Sequence, residues 1–122
     1  RYLGAADIYI TPYLGEQQIV SGTLSYAMGA GNAIVSTSYA YAREVLADGR
    51  GRIVPPQDTD AIAAEVNDLL SDEAARRNMG RNAYLHARQM VWQQVGRSYE
   101  NLIRKVVAGS REAAVIGFST VE

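Results

Sequence analysis

The chain has 122 residues, a length that suits one compact domain. It is 48% hydrophobic and 20% charged, close to the globular average, which excludes a disordered or fibrous chain. The net charge of -1 provides no positive field for a polyanion, so nucleic acid is not expected as a partner, and the lack of cysteine excludes disulfides and thiolate metal sites.

The start of the chain carries no signal-peptide pattern, and no apolar run reaches the roughly 20 residues of a membrane helix. These features, with the absence of cysteine, favour the cytoplasm. The first residues, Arg1 to Ala6, are typical of the end of a helix whose beginning is missing. We therefore expect this chain to be a piece of a longer protein.

The first predicted strand covers residues 7–12, where β-branched and aromatic residues alternate before a proline. We expect this strand to be buried on both faces. After a loop, Ser21 or Thr23 can cap a helix of small and apolar residues, which Gly29 and Gly31 would end. The second strand, residues 33–37, is a continuous apolar run of the kind that is covered on both faces.

A short helix over residues 41–46 and a glycine-rich turn precede a third strand, residues 52–54. The remainder is predicted to be helical. Asp58 or Asp60 can cap one helix, and Asp72 can begin another that continues to about residue 88. The last helix carries one long apolar stripe that must pack in a core or an interface: Trp92, Val95, Tyr99, Leu102 and Val106.

Strands that alternate with helices predict an α/β fold, an open parallel sheet with helices on both faces. Three strands make a thin sheet, which indicates the C-terminal half of a larger Rossmann-like domain. We expect residues 1–108 to form this partial domain. Residues 109–122 show no useful period and are expected to be a flexible tail or linker.

Ligands of open parallel sheets bind beyond the carboxyl ends of the strands, which here includes the start of the first long helix. At Ser21, Gly22 and Thr23 the helix offers unpaired N–H groups and a positive dipole end, and Gly22 permits close approach of a ligand. A phosphate suits this position. Glu16 lies in the preceding loop and is suited to accept hydrogen bonds from sugar hydroxyls.

Five motifs in order resemble the nucleotide-sugar-binding domain of GT-B glycosyltransferases of family 4. The similarity covers roughly residues 5–107. The segments that carry it are Ala6 to Pro12, Glu16, Ala27 to Val35, Arg43 to Gly49 and Ile53 to Asp58, with Trp92 at the start of the last helix. The corresponding family patterns are A-D-x-x-x-x-P, E-G-F-G-L-P-x-L-E-A-M-A-x-G-x-P-V-V, P-E-V-V-x-D-G and L-V-P-P-G-D.

The resemblance implies retaining glycosyl transfer from a nucleoside-diphosphate sugar, with no other cofactor and no metal. An N-terminal domain of the same protein would hold the acceptor and lies outside these residues. In the family the first Glu of an E-x7-E motif contacts the donor sugar, a role that falls to Glu16, and the helix start at Ser21, Gly22 and Thr23 holds the diphosphate. Tyr26 takes the place of the second Glu, which contacts the ribose, and the loop is two residues longer than in the family pattern. The basic residues that neutralise the leaving diphosphate in the family lie upstream of Arg1, and these 122 residues show no replacement for them.

Each of these residues also has a plain structural interpretation. Glu16 can be a solvated loop carboxylate, Ser21 or Thr23 a helix cap, and Tyr26 a core residue. Gly29 and Gly31 are interpreted as turn or packing residues, and Glu44 is a weak site candidate. The single histidine, His86, is interpreted as a packed residue because it has no partner for a metal or catalytic site nearby in sequence.

Two further functions stay open beside the enzyme. One is a non-catalytic nucleotide-binding or protein-interaction module derived from the same fold, and the other is self-association through the exposed face of the last helix. A receiver-type domain is disfavoured because Asp7 begins its strand and the only lysine, Lys105, lies in the last helix. The G-x-G-x-x-G motif of dinucleotide-binding domains is absent.

Overall fold

The computed structural model describes residues 2–118, which divide into two compact units at Arg88 and Gln89. The first unit alternates strands and helices in the order expected from the sequence. After a short 3-10 helix at Leu3–Ala5, its elements are β1 (Ile8–Thr11), α1 (Gly22–Ala30), β2 (Ala33–Thr37), α2 (Ala40–Val45), β3 (Arg52–Val54), α3 (Thr59–Ser71) and α4 (Glu73–Ala87). A 3-10 turn at Arg88–Met90 follows, and the second unit consists mainly of α5 (Trp92–Phe118).

The sheet is parallel with the strand order β1-β2-β3, which confirms the predicted α/β architecture. Every residue of β2 is buried, because this strand is paired on both sides and covered on both faces. The expectation that β1 is buried on both faces is wrong. Only Thr11 of β1 is buried and Ile10 is exposed, since β1 is an edge strand of the described sheet.

Two hydrophobic clusters cover the two faces of the sheet, as the alternation of side chains along β2 requires. Ile34 points into a cluster with α1 and α2, whereas Ala33 and Val35 join a cluster with α3. The helix α4 contributes to both, through Ala83 and Ala87 to the first and Met79 to the second. Full burial of a side chain such as Ile34 contributes about 1.5–3 kcal/mol, so the two clusters hold α1 to α4 on the sheet.

The helix ends follow the capping signals in the sequence. Ser21, Asp58 and Asp72 are the N-caps of α1, α3 and α4, and each side chain accepts a backbone N–H of the first turn. Gly31 ends α1 in the left-handed conformation, at a φ of 80°. Gly29, which was expected to help end this helix, instead lies inside it, because one left-handed residue is sufficient for the cap.

The second unit differs from the expected tail. The helix α5 begins at Trp92, where the last helix was expected, and continues to Phe118, so residues 109–118 are helical although no helical period was found in their sequence. Residues 111–114 are of types that favour a helix. Because extending an existing helix costs less than starting a new one, these residues continue α5. The remaining residues, 119–122, lie outside the described part, and the domain boundary at 108 stays a prediction. Within residues 2–118 no helix is both long and apolar enough to cross a membrane.

Candidate functional site

The carboxyl ends of the three strands are joined by side-chain and backbone hydrogen bonds. The Thr37 hydroxyl, at the end of β2, donates to the Tyr13 carbonyl at 2.6 Å and approaches the Thr11 carbonyl at 3.5 Å. The Ser38 N–H donates to the Val54 carbonyl at 3.1 Å. These bonds fix the beginning of the loop over residues 12–20 on the sheet edge where ligands of this fold class bind.

The start of α1 lies directly after that loop. The Ser21 side chain is 3% exposed, and its oxygen accepts the Leu24 N–H at 3.2 Å. The N–H groups of Gly22 and Thr23 have no acceptor among the described residues, as expected for the first two positions of a helix. A side chain at Gly22 would meet open space, so a ligand can approach this backbone. The arrangement suits an anion.

The buried Ser21 hydroxyl therefore acts as the N-cap and stabilises the start of α1. The Ser21 side-chain oxygen lies 3.3 Å from the Thr23 hydroxyl. The Ser21 backbone carbonyl accepts a hydrogen bond from the Ser25 hydroxyl at 3.2 Å. Ser25 in turn lies 2.8 Å from the Tyr41 hydroxyl of α2. Hydrogen bonds from the Ser21 carbonyl through the Ser25 hydroxyl to the Tyr41 hydroxyl thus join the start of α1 to α2.

Glu16 is exposed, and its carboxylate has no hydrogen-bond or ion-pair partner within residues 2–118. Its backbone is anchored, because its carbonyl accepts the Ala40 N–H at the start of α2 at 3.1 Å. The loop is thus held at a definite place while the carboxylate points to solvent. This position is compatible with a contact to a ligand and leaves the role of Glu16 a prediction.

Tyr26 lies one helical turn after Gly22 and is 73% exposed. The interpretation of Tyr26 as a core residue is therefore wrong; the core positions of α1 are Leu24, Ala27 and Met28. Residues four apart share one face of a helix, so Tyr26 and Gly22 face the same side of α1. The structure places Ser21 at the N-cap of α1 and Gly22, Thr23 and Tyr26 within this helix, but the role of each stays a prediction.

Two functional candidates were not found from the sequence. Arg43, on α2, donates to the Ser38 hydroxyl at 3.0 Å and has no ion-pair partner in the described part of the chain. Ser38 directly follows β2, so this guanidinium lies at the same edge of the sheet as the start of α1. Its position depends on how α2 packs, and nothing in the sequence around Arg43 indicates it. Glu44, the neighbouring candidate, is exposed.

The second candidate is Tyr13, whose carbonyl accepts the Thr37 hydroxyl and whose ring contacts that of the buried Tyr39. A side-chain bond with Thr23 lowers the pKa of Tyr13 most, followed by one with Ser21; burial opposes this effect, and Gln18 adds to it. An aromatic residue directly after the proline that ends β1 is the only signal in the sequence.

The interpretation of His86 as a packed residue agrees with its half-buried position on α4. Burial lowers the pKa of His86 most, Arg50 lowers it further, and Asp48 and Glu44 oppose this effect. Within residues 2–118 no group of three or more His, Cys, Asp or Glu side chains is placed to bind a metal ion.

Comparisons with known proteins agree with this arrangement. The family model described as glycosyl transferases group 1 matches residues 1–72. A phosphatidyl-myo-inositol mannosyltransferase from Mycolicibacterium smegmatis is 35% identical over 103 residues, which are 80% of this chain and 26% of that protein. The chain thus spans about a quarter of the length of this curated relative.

Solved structures share the fold. Sucrose-phosphate synthase from Thermosynechococcus elongatus superposes with a TM-score of 0.74 at 23% identity, covering 88% of this chain and 27% of that one. Anabaena HepE, solved in complex with UDP, superposes with a TM-score of 0.70 at 19% identity, covering 82% and 29%. The resemblance to GT-B glycosyltransferases is confirmed. The chain belongs to the family of group 1 glycosyl transferases.

Proposed function

We propose that this chain is the donor-binding part of a retaining glycosyltransferase of family 4, which transfers a sugar from a nucleoside-diphosphate sugar. One observation carries the proposal: the unpaired N–H groups of Gly22 and Thr23 lie at the carboxyl edge of a parallel sheet, beside an anchored loop with a free carboxylate. Such a helix start favours a phosphate.

The proposed roles follow from this geometry. The amides of Gly22 and Thr23 bind the diphosphate, Ser21 caps the helix and fixes those amides, and Glu16 contacts the donor sugar. Tyr26 hydrogen-bonds the ribose from the same face of α1 as Gly22. During transfer, the bond between the sugar and the diphosphate breaks and negative charge grows on the leaving group. Backbone donors that are already in place stabilise that charge without reorganisation.

The relatives support this donor class. The similar mycobacterial protein is named a mannosyltransferase, and HepE was solved with UDP and with UDP-glucose. We propose a nucleoside-diphosphate hexose as the donor of this protein. Because the chain spans only part of its relatives, we propose that an N-terminal domain of the same protein holds the acceptor. The apolar stripe of α5 is a proposed surface for self-association, since a single helix cannot bury its own apolar face.

The test is nucleotide titration of the full-length protein followed by a transfer assay. Calorimetry with UDP, GDP, ADP and their hexose derivatives is expected to show binding of one nucleotide series. Glu16→Gln removes the charge of this carboxylate at nearly unchanged size. We expect it to lower the transfer rate by about 10²-fold or more while nucleotide affinity is kept.

Glu73→Gln is the matched control, because Glu73 is an exposed carboxylate in the first turn of α4 that pairs with Arg77. It is expected to leave both binding and transfer unchanged. A folded protein that binds none of the nucleotides would refute donor binding. Nucleotide binding without transfer in the wild type would favour the non-catalytic module.

A further inference from the structure

The loop over residues 12–20 is attached to the fold by the segment that connects β2 to α2, residues 37–40. In the described part of the chain, the backbone of this loop makes two hydrogen bonds with other elements, and both join it to this connecting segment. The first comes from the buried Thr37 hydroxyl, which donates to the Tyr13 carbonyl at 2.6 Å. The rings of Tyr13 and Tyr39 add an edge-to-face contact, with 5.3 Å between their centroids.

The second hydrogen bond serves the loop and α2 at the same time. The Ala40 N–H is the first of α2, and it donates to the Glu16 carbonyl at 3.1 Å. The N-cap residue of α2 is Tyr39, whose side chain makes no capping bond, because tyrosine lacks the short side-chain oxygen of a capping residue. The Glu16 carbonyl therefore accepts one of the N–H groups that a helix start leaves unpaired, and α2 holds the loop in return.

The connecting segment has a fixed position of its own. The Ser38 N–H donates to the Val54 carbonyl of β3 at 3.1 Å, and the Arg43 guanidinium donates to the Ser38 hydroxyl at 3.0 Å. The Glu16 carboxylate, in contrast, has no partner within residues 2–118. The place of this carboxylate is therefore set through the backbone of the loop and the two anchors on the connecting segment.

We propose that the connecting segment positions Glu16 for sugar transfer, with the Thr37 hydroxyl and the Ala40 N–H as the two positioning groups. This inference rests on the proposed function, in which the Glu16 carboxylate contacts the donor sugar. Neither positioning group touches the donor; each acts through the backbone of the loop. Misplacement of a contacting group by about 1 Å can cost about 10²-fold in rate, so the loss of one anchor should be measurable in transfer.

Ala40→Pro removes one of the two anchors and preserves the helix start. Proline has no N–H but is favoured at the first position of a helix, and Ala40 is exposed, so the ring has room. The extended backbone of Tyr39, with a φ of -122° and a ψ of 162°, suits a residue that precedes proline. In the full-length protein we expect kcat for transfer to fall about tenfold. The affinity for UDP, measured by calorimetry, should be unchanged because UDP lacks the transferred sugar.

Thr59→Pro is the matched control for this variant. Thr59 is the exposed first residue of α3, and its N-cap Asp58 is also in an extended conformation. The same proline is thus placed at the start of a helix that makes no bond with the loop. Transfer and UDP affinity should both equal those of the wild type.

Thr37→Val removes the other anchor at nearly unchanged size. We expect kcat to fall about tenfold here as well, and Thr37→Ser, which keeps the hydroxyl, to recover most of the loss. Ser36→Ala is the control, because the neighbouring buried Ser36 hydroxyl bonds the carbonyls of Thr37 and Thr11, which lie in strands and not in the loop. This control should transfer at the wild-type rate.

A double variant separates positioning from a merely structural role. Glu16→Gln alone is expected to lower transfer by about 10²-fold. Once this carboxylate is lost, moving the loop has little left to change, so Ala40→Pro should lower kcat by less than about twofold in the Glu16→Gln background. A further tenfold loss in that background would overturn the proposal, because the anchor would then act independently of Glu16.

The remaining outcomes distinguish this inference from the proposed function. If the folded wild type binds neither UDP, GDP nor ADP, the proposed function fails. If the wild type binds and transfers, and Ala40→Pro and Thr37→Val transfer at its rate, the positioning role is overturned while donor binding stands. Circular dichroism checks that each variant is folded, and Ala40→Pro decides alone if the buried Thr37→Val does not fold.

Discussion

Replacement of Gly80 by alanine tests the close approach between α4 and the turn that ends α1. A methyl group on Gly80 would lie inside van der Waals contact of the Gly31 carbonyl oxygen. It would also lie 3.1 Å from the Gly31 carbonyl carbon and 3.4 Å from that of Asn32. All three obstacles are backbone atoms, so no side-chain rotation can relieve the contact.

The cost follows from two opposing effects. Overpacking of a well-packed interior costs about 1–3 kcal/mol, and a backbone obstacle puts this site near 3 kcal/mol. Because alanine favours the helix over glycine, the substitution also adds about 1 kcal/mol to the free energy of unfolding. The expected net loss is therefore about 2 kcal/mol, which lowers the melting temperature by ~10 °C for a domain of this size.

Urea denaturation followed by far-ultraviolet circular dichroism measures the difference. The control is Gly29→Ala, a helix-interior glycine of α1 where an added methyl group meets nothing within 4 Å. This variant should be as stable as the wild type or more stable by up to about 1 kcal/mol. If Gly80→Ala matched its control, the tight packing of α4 on the Gly31 turn would be wrong.

Two further predictions concern the ligand and the pH. Gly22→Ala should unfold like the wild type, because the added methyl group meets open space. The same methyl group should obstruct the amides and weaken UDP binding by about tenfold. Calorimetry with Gly29→Ala as the control measures the affinity, and equal affinities of the two variants would contradict the proposed phosphate position. His86, the only histidine, has a folded-state pKa below its ordinary 6.5, so the unfolded chain takes up the proton first. The stability from its neutral form is complete above about pH 6.5 and is lost as the pH falls toward the folded-state pKa. Urea midpoints over this range should therefore fall in the wild type and fall less in His86→Gln, and identical slopes would exclude His86 as the cause.

Local sequence signals predicted most of the first unit. A cap depends on one side chain and the amides beside it, so Ser21, Asp58 and Asp72 could be identified from residue type and position. The strand β2 was equally clear, since a run of apolar residues between turn residues is typical of a strand with two covered faces. The parallel direction of the strands then followed from the alternation of strands and helices.

Features that depend on contacts distant in sequence were not predicted. The exposure of β1 depends on its place at the edge of the described sheet, which the pattern of β-branched residues does not report. The Tyr13 ring and the Arg43 guanidinium have their positions because of how the loop and α2 pack. Tyr26 is exposed because of how α1 is rotated about its axis on the sheet. Small and apolar residues lie on all sides of α1, so the sequence does not indicate which side of this helix faces the core.

The edge position of β1 in the described sheet has a consequence for handling residues 1–122 by themselves. Unpaired backbone groups along a strand are a template for aggregation. Here the strand has four residues, and it is followed by Pro12, which has no N–H to donate and so cannot lengthen the ladder. A foreign strand could gain only a few hydrogen bonds at this edge. We therefore expect concentrated solutions of residues 1–122 alone to stay free of amyloid-like fibrils unless Pro12 is replaced by a residue that extends the strand.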